Sequence, residues 1–177
     1  LSNYFSDPPT PQRLAALMPS ARLVVLLRDP LKRAISWVQH LQRLEGLKGS
    51  VDYWLEWELN QLEALSPSEL AQHPRLGTGA LQDSCYDLHL QRWAQHLPDN
   101  PPLLVASEQL FEDPATELNR VLKFIGSSQS AEPWLEQWRP LNVNPHQAAS
   151  VEEPLSKRLK TFLASHTQRS LTIARAI

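Results

Sequence analysis

The chain has 177 residues, 42% of them hydrophobic, which is enough to bury a core and predicts a single domain over residues 1–177. Its formal net charge of −2 does not indicate general binding to nucleic acid or membranes, so any anion site must be local. The only cysteine, Cys85, excludes an intrachain disulfide and a cysteine-zinc cluster, and it favours a reducing, cytoplasmic location.

The first predicted elements are a helix, a strand and a second helix. Thr10 has the chemistry of an N-cap and begins a short amphipathic helix over residues 10–18. The continuous apolar run RLVVLL, residues 22–27, is typical of a strand covered on both faces. Asp29 then caps a helix that should run to about Glu45.

The rest of the chain continues this alternation. A second short apolar run, LLVA at 103–106, predicts a parallel partner for the first strand. Further helices are predicted by apolar spacing at residues 51–65, 80–97, 114–125 and 154–164. Strands separated by many helices predict an α/β layer fold with a parallel sheet.

The helix that follows Asp29 has an apolar face and a polar face. At about 100° per residue, its apolar side chains gather on one side of the helix. They are Leu31, Ala34, Ile35, Val38 and Leu41. Ser36, Trp37 and His40 lie within about 60° of Arg33 on the opposite side. The sequence therefore predicts a buried stripe and a face with several hydrogen-bond donors.

A phosphate site is one interpretation of this segment. Arg28 lies at the carboxyl end of the predicted strand, where open α/β sheets bind ligands, and the next helix starts with N–H groups. A guanidinium, the Ser36 hydroxyl and a helix start together suit a phosphate. The alternative is that Asp29 pairs with Arg28 or Arg33 and that Ser36 is simply solvated.

At these residues the sequence resembles a known family. RLVVLLRDPLKRAISWVQH is similar to the 3′-phosphate-binding segment of sulfotransferases that use 3′-phosphoadenosine 5′-phosphosulfate (PAPS), especially the heparan-type N-sulfotransferases. Three further blocks occur in the family's order within residues 1–126: NYFSDPPTPQRLAALMPSAR, CYDLHLQRW and LLVASEQLFEDPATELNRVLKFIG.

The resemblance implies a P-loop-like sulfotransferase fold and transfer of a sulfuryl group from PAPS to a hydroxyl or amine, with a carbohydrate among the acceptors. It implies that Arg28 and Ser36 bind the 3′-phosphate of the cofactor, and it leaves Arg33 a supporting role. A eukaryotic heparan-type enzyme would instead be expected in the Golgi lumen.

Departures from the family pattern limit this assignment. The phosphosulfate-binding loop and the catalytic glutamate have no match, so we expect a domain without its N-terminal strand–loop–helix, and the catalytic residue is unknown. Ser84 replaces a family glycine, and the late cofactor loop offers Asn142 and Asn144 but no lysine. Two alternatives stay open: an inactive remnant that holds adenosine 3′,5′-bisphosphate, and a helical interaction module.

Other side chains with possible chemistry are assigned to structure. His40 could act as a base but is expected to be a surface or supporting residue, and His89 and His96 are expected to be solvated. Asp83 and Asp87 could form a carboxylate pair, although Tyr86 between them should pack into the core. The tryptophans could stack on sugars but are expected mainly in the core; among the six are Trp54, Trp57, Trp134 and Trp138. The histidines lack metal-ligand spacing, so no metal is expected.

Overall fold

The structure, a computed structural model, describes residues 4–139 and 150–176. They form two compact units. Unit 1 comprises residues 4–28 and 92–139, and unit 2 comprises residues 29–91 and 150–176. The predicted single domain stays a prediction.

Helices dominate both units. The strands are β1 (Val24–Leu27) and β2 (Leu103–Ala106). The helices are α1 (Thr10–Leu17), α2 (Pro30–Leu44), α3 (Val51–Glu63), α4 (Pro67–Gln72), α5 (Tyr86–His96), α6 (Ser107–Glu112), α7 (Pro114–Phe124), α8 (Glu132–Leu135) and α9 (Glu153–Ala176). A 3₁₀ turn, Gln82–Ser84, precedes α5. No helix in the described ranges is long and apolar enough to cross a membrane.

Unit 1 contains the sheet. β1 pairs with β2 in parallel, with Val24 opposite Leu103, which confirms the predicted orientation. Trp93, from α5, is buried and donates its indole N–H to the Phe5 carbonyl at 3.0 Å, which ties the start of the chain to unit 1.

Unit 2 has its own apolar core. The predicted stripe of α2 is confirmed, because Ala34, Val38 and Leu41 are buried. The side chains that pack around α2 come from α3, from the segment before α5 and from α9. They include Leu55, Leu59, Leu62, Leu81, Leu155, Leu159 and Leu163.

Three local predictions are wrong. β1 is not covered on both faces: Val24 and Leu26 are exposed, since the described chain forms only two strands and buries Val25 and Leu27 in part. Pro9, rather than Thr10, is the N-cap of α1. The last helix extends to Ala176, well past the predicted end at residue 164. Its buried side chains continue beyond that residue, with His166 and Ser170 among them.

Candidate anion-binding site

The start of α2 is fixed by its cap. The Asp29 carboxylate accepts the Lys32 N–H at 2.8 Å, and the Asp29 carbonyl accepts the Arg33 N–H at 2.9 Å. Pro30 follows at the first helical position and has no N–H. The helix start therefore offers an anion fewer donors than the sequence suggested, and side chains must supply most of the recognition.

The two predicted phosphate ligands fall in different units. Arg28 is exposed and follows the last residue of β1, in unit 1. Ser36 is half-buried on α2, in unit 2. Its hydroxyl has no hydrogen-bond partner among residues 4–139 and 150–176, so it can donate to a ligand.

Arg33 is committed to the protein itself. Its Nη1 donates to the Ala80 carbonyl at 3.1 Å and to Ser84 Oγ at 3.2 Å, and its Nη2 lies 3.5 Å from Asp83 Oδ2. Ser84 Oγ in turn donates to the Ala80 carbonyl at 2.7 Å. Arg33 thus joins α2 to the segment before α5, which agrees with the supporting role expected from the sequence.

A second arginine joins the same cluster. Arg75 lies 3.0 Å from Asp83 Oδ2, and its Nη2 donates to the Thr78 carbonyl at 3.0 Å. Trp37 Nε1 donates to the same carbonyl at 2.9 Å, and the Arg75 guanidinium lies 5.5 Å from the Trp37 ring centroid. Sequence reasoning missed Arg75, because its partners come from α2 and from the loop that follows it.

A buried carboxylate holds this loop. Glu58 of α3 is completely buried and accepts three hydrogen bonds: from Thr78 N at 2.8 Å, from Thr78 Oγ1 at 2.5 Å and from Leu81 N at 2.9 Å. Glu58 was also missed, although its position between Leu55 and Leu62 on the core face of α3 was a usable signal.

The histidines occupy three environments. His40 is half-buried and stacks on Trp37, with 5.3 Å between the ring centroids. The two rings therefore pack together on the polar face of α2. His96 is exposed, as expected. His89 is 4% exposed, so the prediction that it is solvated is wrong; helical spacing from His96 could not reveal that α5 turns this side inward.

Asp83 and Asp87 do not form a carboxylate pair, because each faces its own cations. Asp87 accepts from His166 Nδ1 at 2.7 Å and from Arg169 Nε at 2.6 Å. Burial acts to raise the pKa of Asp87, but the hydrogen bonds from His166 and Arg169 outweigh it and hold the pKa below its usual range. Tyr86 is buried, as predicted.

Cys85 is not a reactive group. Its side chain is fully buried, and its Sγ lies 3.4 Å from the Leu81 carbonyl. Burial raises the pKa of the thiol well above its usual value, so the neutral form is retained. Nothing about this cysteine suits nucleophilic catalysis.

The tryptophans are less buried than expected. Trp93 belongs to the core at 5% exposure, whereas Trp57 is 37% and Trp134 is 46% exposed. Trp37, Trp54 and Trp138 are half-buried. The prediction of mainly core tryptophans is confirmed for Trp93 and in part for Trp37 and Trp54, which pack against the core of unit 2. It is wrong for the exposed Trp57 and Trp134.

A concave region of unit 1 offers mainly apolar surface. This cleft of about 480 Å³ is lined mostly by apolar side chains of α1 and β1, with Arg13 as its one cation among the described lining residues, so it suits an apolar group better than a phosphate. Asn142 and Asn144, noted for the late cofactor loop, lie outside the described residues.

Comparisons with known proteins agree with the resemblance seen in the motifs. A family model described as sulfotransferase domain matches residues 9–170. Human bifunctional heparan sulfate N-deacetylase/N-sulfotransferase 3 is 35% identical over 133 residues, 71% of this chain. The human isoform 2 is 33% identical over 148 residues, 81% of this chain. The chain spans only 14% and 15% of the lengths of these relatives.

The fold comparison points the same way. A crystal structure of a sulfotransferase from Alicyclobacillus acidocaldarius superposes with a TM-score of 0.67, at 21% sequence identity. The match covers 97% of this chain and 61% of that one. The predicted fold class, a helix-rich α/β sulfotransferase fold with a parallel sheet, is confirmed.

Proposed function

Because the chain belongs to the sulfotransferase family, in its N-sulfotransferase branch, we propose that it supplies the 3′-phosphate side of the cofactor site in an enzyme that transfers sulfuryl groups. The donor is PAPS, and the acceptor is a hydroxyl or amine of a carbohydrate. The names of the relatives support this acceptor, because they are described as heparan sulfate N-sulfotransferases.

One observation carries the proposal. The family's arginine position is Arg28, an exposed side chain directly after β1. Its serine position is Ser36, whose hydroxyl has no hydrogen-bond partner among the described residues. The intervening Arg33 is already held by the protein. The family motif, rather than a distance between the two side chains, makes Arg28 and Ser36 the residues that we propose for the 3′-phosphate.

PAPS, when bound, supplies the sulfuryl group. The guanidinium of Arg28 would donate a two-pronged hydrogen bond to its 3′-phosphate, and the Ser36 hydroxyl would donate a further bond. Asp29 fixes where α2 begins, and Arg33 anchors α2 to the segment before α5. No residue of this chain is proposed as the catalytic base.

Binding of adenosine 3′,5′-bisphosphate tests the proposal. We expect this nucleotide to raise the melting temperature of the chain. Arg28→Ala should weaken its affinity by tenfold to about a hundredfold, since a hydrogen bond to a charged group contributes roughly 1.5–3 kcal/mol. Ser36→Ala should weaken it less, and Arg43→Ala, on an exposed arginine of α2, should leave it unchanged.

Adenosine 5′-monophosphate, which lacks the 3′-phosphate, is the matched ligand. Its affinity should be the same for the unaltered chain and for Arg28→Ala. Absence of any stabilisation by adenosine 3′,5′-bisphosphate would refute the site, and equal losses with both nucleotides would show that Arg28 does not bind the 3′-phosphate. The predicted cytoplasmic location stays a prediction, which cell fractionation would test.

A further inference from the structure

The turn of α2 that precedes Ser36 carries two cations, Lys32 and Arg33, which lie four and three residues before the serine. Neighbours at these spacings share a helix face, with about 5–6 Å between their Cβ atoms. A helical side chain leans towards the N-terminus of its helix, so the Ser36 hydroxyl lies over this turn. A phosphate that binds the hydroxyl is therefore placed beside these two residues.

Arg33 already uses its donors within the protein. Its guanidinium donates to the Ala80 carbonyl and to Ser84 Oγ, and its Nη2 lies 3.5 Å from Asp83 Oδ2. The side chain is only 25% exposed. Turning it towards a ligand would break these contacts, so Lys32 is the cation of this turn that can serve a phosphate.

The Lys32 side chain is exposed, and its backbone holds the residue in place. The Lys32 N–H donates to the Asp29 carboxylate at 2.8 Å, which belongs to the cap of α2. The ammonium has no ion-pair or hydrogen-bond partner among residues 4–139 and 150–176. Its three donors stand on a flexible stem, so they reach a neighbouring group on the same helix face.

The charge of a phosphate monoester gives this ammonium a function. Such a group carries about 1.5 to 2 negative charges at pH 7, and the guanidinium of Arg28 balances one of them. The next exposed cation along this face of α2 is Arg43, about two turns beyond Ser36. Lys32 is therefore the side chain of α2 that is placed to balance the second charge.

We propose that Lys32 is a specificity-determining residue of the cofactor site, where its ammonium binds the doubly charged 3′-phosphate beside the Ser36 hydroxyl. The inference rests on the proposed function and adds a cation to it. With two cations, the site favours a terminal 3′-phosphate over a 3′-phosphodiester, which carries one charge. An adenosine inside a polynucleotide is thereby rejected in favour of the mononucleotide cofactor.

Isothermal titration with three nucleotides tests this inference. They are adenosine 3′,5′-bisphosphate, the same nucleotide with a methyl ester on its 3′-phosphate, and adenosine 5′-monophosphate. Lys32→Gln should weaken the bisphosphate by about three- to tenfold, since a charge-assisted bond from an exposed lysine is partly screened. The loss should be about two- to threefold for the methyl ester, because the Coulomb energy is proportional to the charge. Adenosine 5′-monophosphate should be unaffected.

Matched variants separate a specific bond from general attraction. Lys48→Gln removes another exposed lysine of unit 2, and Arg43→Gln removes an exposed cation about 10 Å along the same helix. Neither should change any affinity, because charges more than about 8 Å apart are largely screened at 0.15 M salt. Lys32→Arg keeps the cation and should restore binding to within about twofold.

A double variant adds a readout that a merely structural role would not change. The losses from Lys32→Gln and Ser36→Ala should not multiply in the double variant, because both side chains hold the same phosphate. Losses that multiply fully would show that the two groups act independently and would contradict the shared site.

Three results would overturn the inference: no loss in Lys32→Gln, an equal loss with adenosine 5′-monophosphate, or the same loss in Lys48→Gln. If the bisphosphate binds and Arg28→Ala weakens it while Lys32→Gln does not, this inference fails and the proposed function stands. If the unaltered chain does not bind the bisphosphate, the proposed function fails and this inference fails with it.

Discussion

Removing the buried carboxylate of Glu58 should destabilise unit 2 strongly. The Glu58 carboxylate accepts hydrogen bonds from the Thr78 N–H, the Thr78 hydroxyl and the Leu81 N–H. In Glu58→Ala these three donors lose their partner in a buried site. Each hydrogen bond to a charged group contributes roughly 1.5–3 kcal/mol, and the three are not additive. We expect a loss of about 3–5 kcal/mol in the free energy of unfolding.

Urea denaturation followed by far-UV circular dichroism measures this loss. Glu56→Ala is the control, because Glu56 lies on the same helix but is exposed and only 3.7 Å from Arg158 in a surface ion pair, so it should cost less than about 1 kcal/mol. Amide hydrogen exchange adds a local readout, in which Thr78 and Leu81 should exchange faster in Glu58→Ala. A cost below about 1 kcal/mol with unchanged exchange would refute the anchoring role.

Two further changes test contacts near α5. Hydrogen bonds from His166 and Arg169 hold the pKa of Asp87 below its ordinary value. The ionised Asp87 therefore stabilises the fold fully above about pH 4, and this stabilisation is lost as the pH falls through the lower pKa of the folded state. Asp87→Asn should therefore cost roughly 1–3 kcal/mol at pH 7, a gap that closes in acid melts; a gap that widens below pH 4 would contradict this sign. Ser84→Gly removes a buried bridge to Arg33 and should cost roughly 1–2 kcal/mol in urea titrations, whereas a gain in stability would show that the hydroxyl is not needed.

Local patterns were sufficient to predict much of the fold. Asp29 and Asp113 each accept an N–H of their own helix, so a cap followed by proline marked the starts of α2 and α7 correctly. The apolar stripe of α2 also identified its buried face, because helical spacing decides which side chains point together. These features depend only on neighbours within one or two turns.

The contacts that hold the candidate site could not be predicted in this way. Arg33 donates hydrogen bonds to Ala80 and Ser84, which lie about fifty positions further along the chain. The partners of Asp87 lie about eighty positions further along. Spacing within one helix therefore suggested a carboxylate pair where the structure has two separate ion pairs. Glu58 was missed as well, although the sequence carried a signal for it, because a glutamate on the core face of α3 needs distant hydrogen-bond donors.

The serine at position 84 shows how a departure from the family pattern can be accommodated. A glycine is required where φ is positive, and the positive φ angles of this loop occur at Gly77 and Gly79, with values of 51° and 69°. Ser84 lies in the 3₁₀ turn that follows, a conformation with negative φ that any residue adopts. Its side chain is therefore tolerated by the backbone and gives Arg33 an acceptor that glycine lacks. It follows that Ser84→Gly reports on a hydrogen bond that orients α2 rather than on relief of backbone strain.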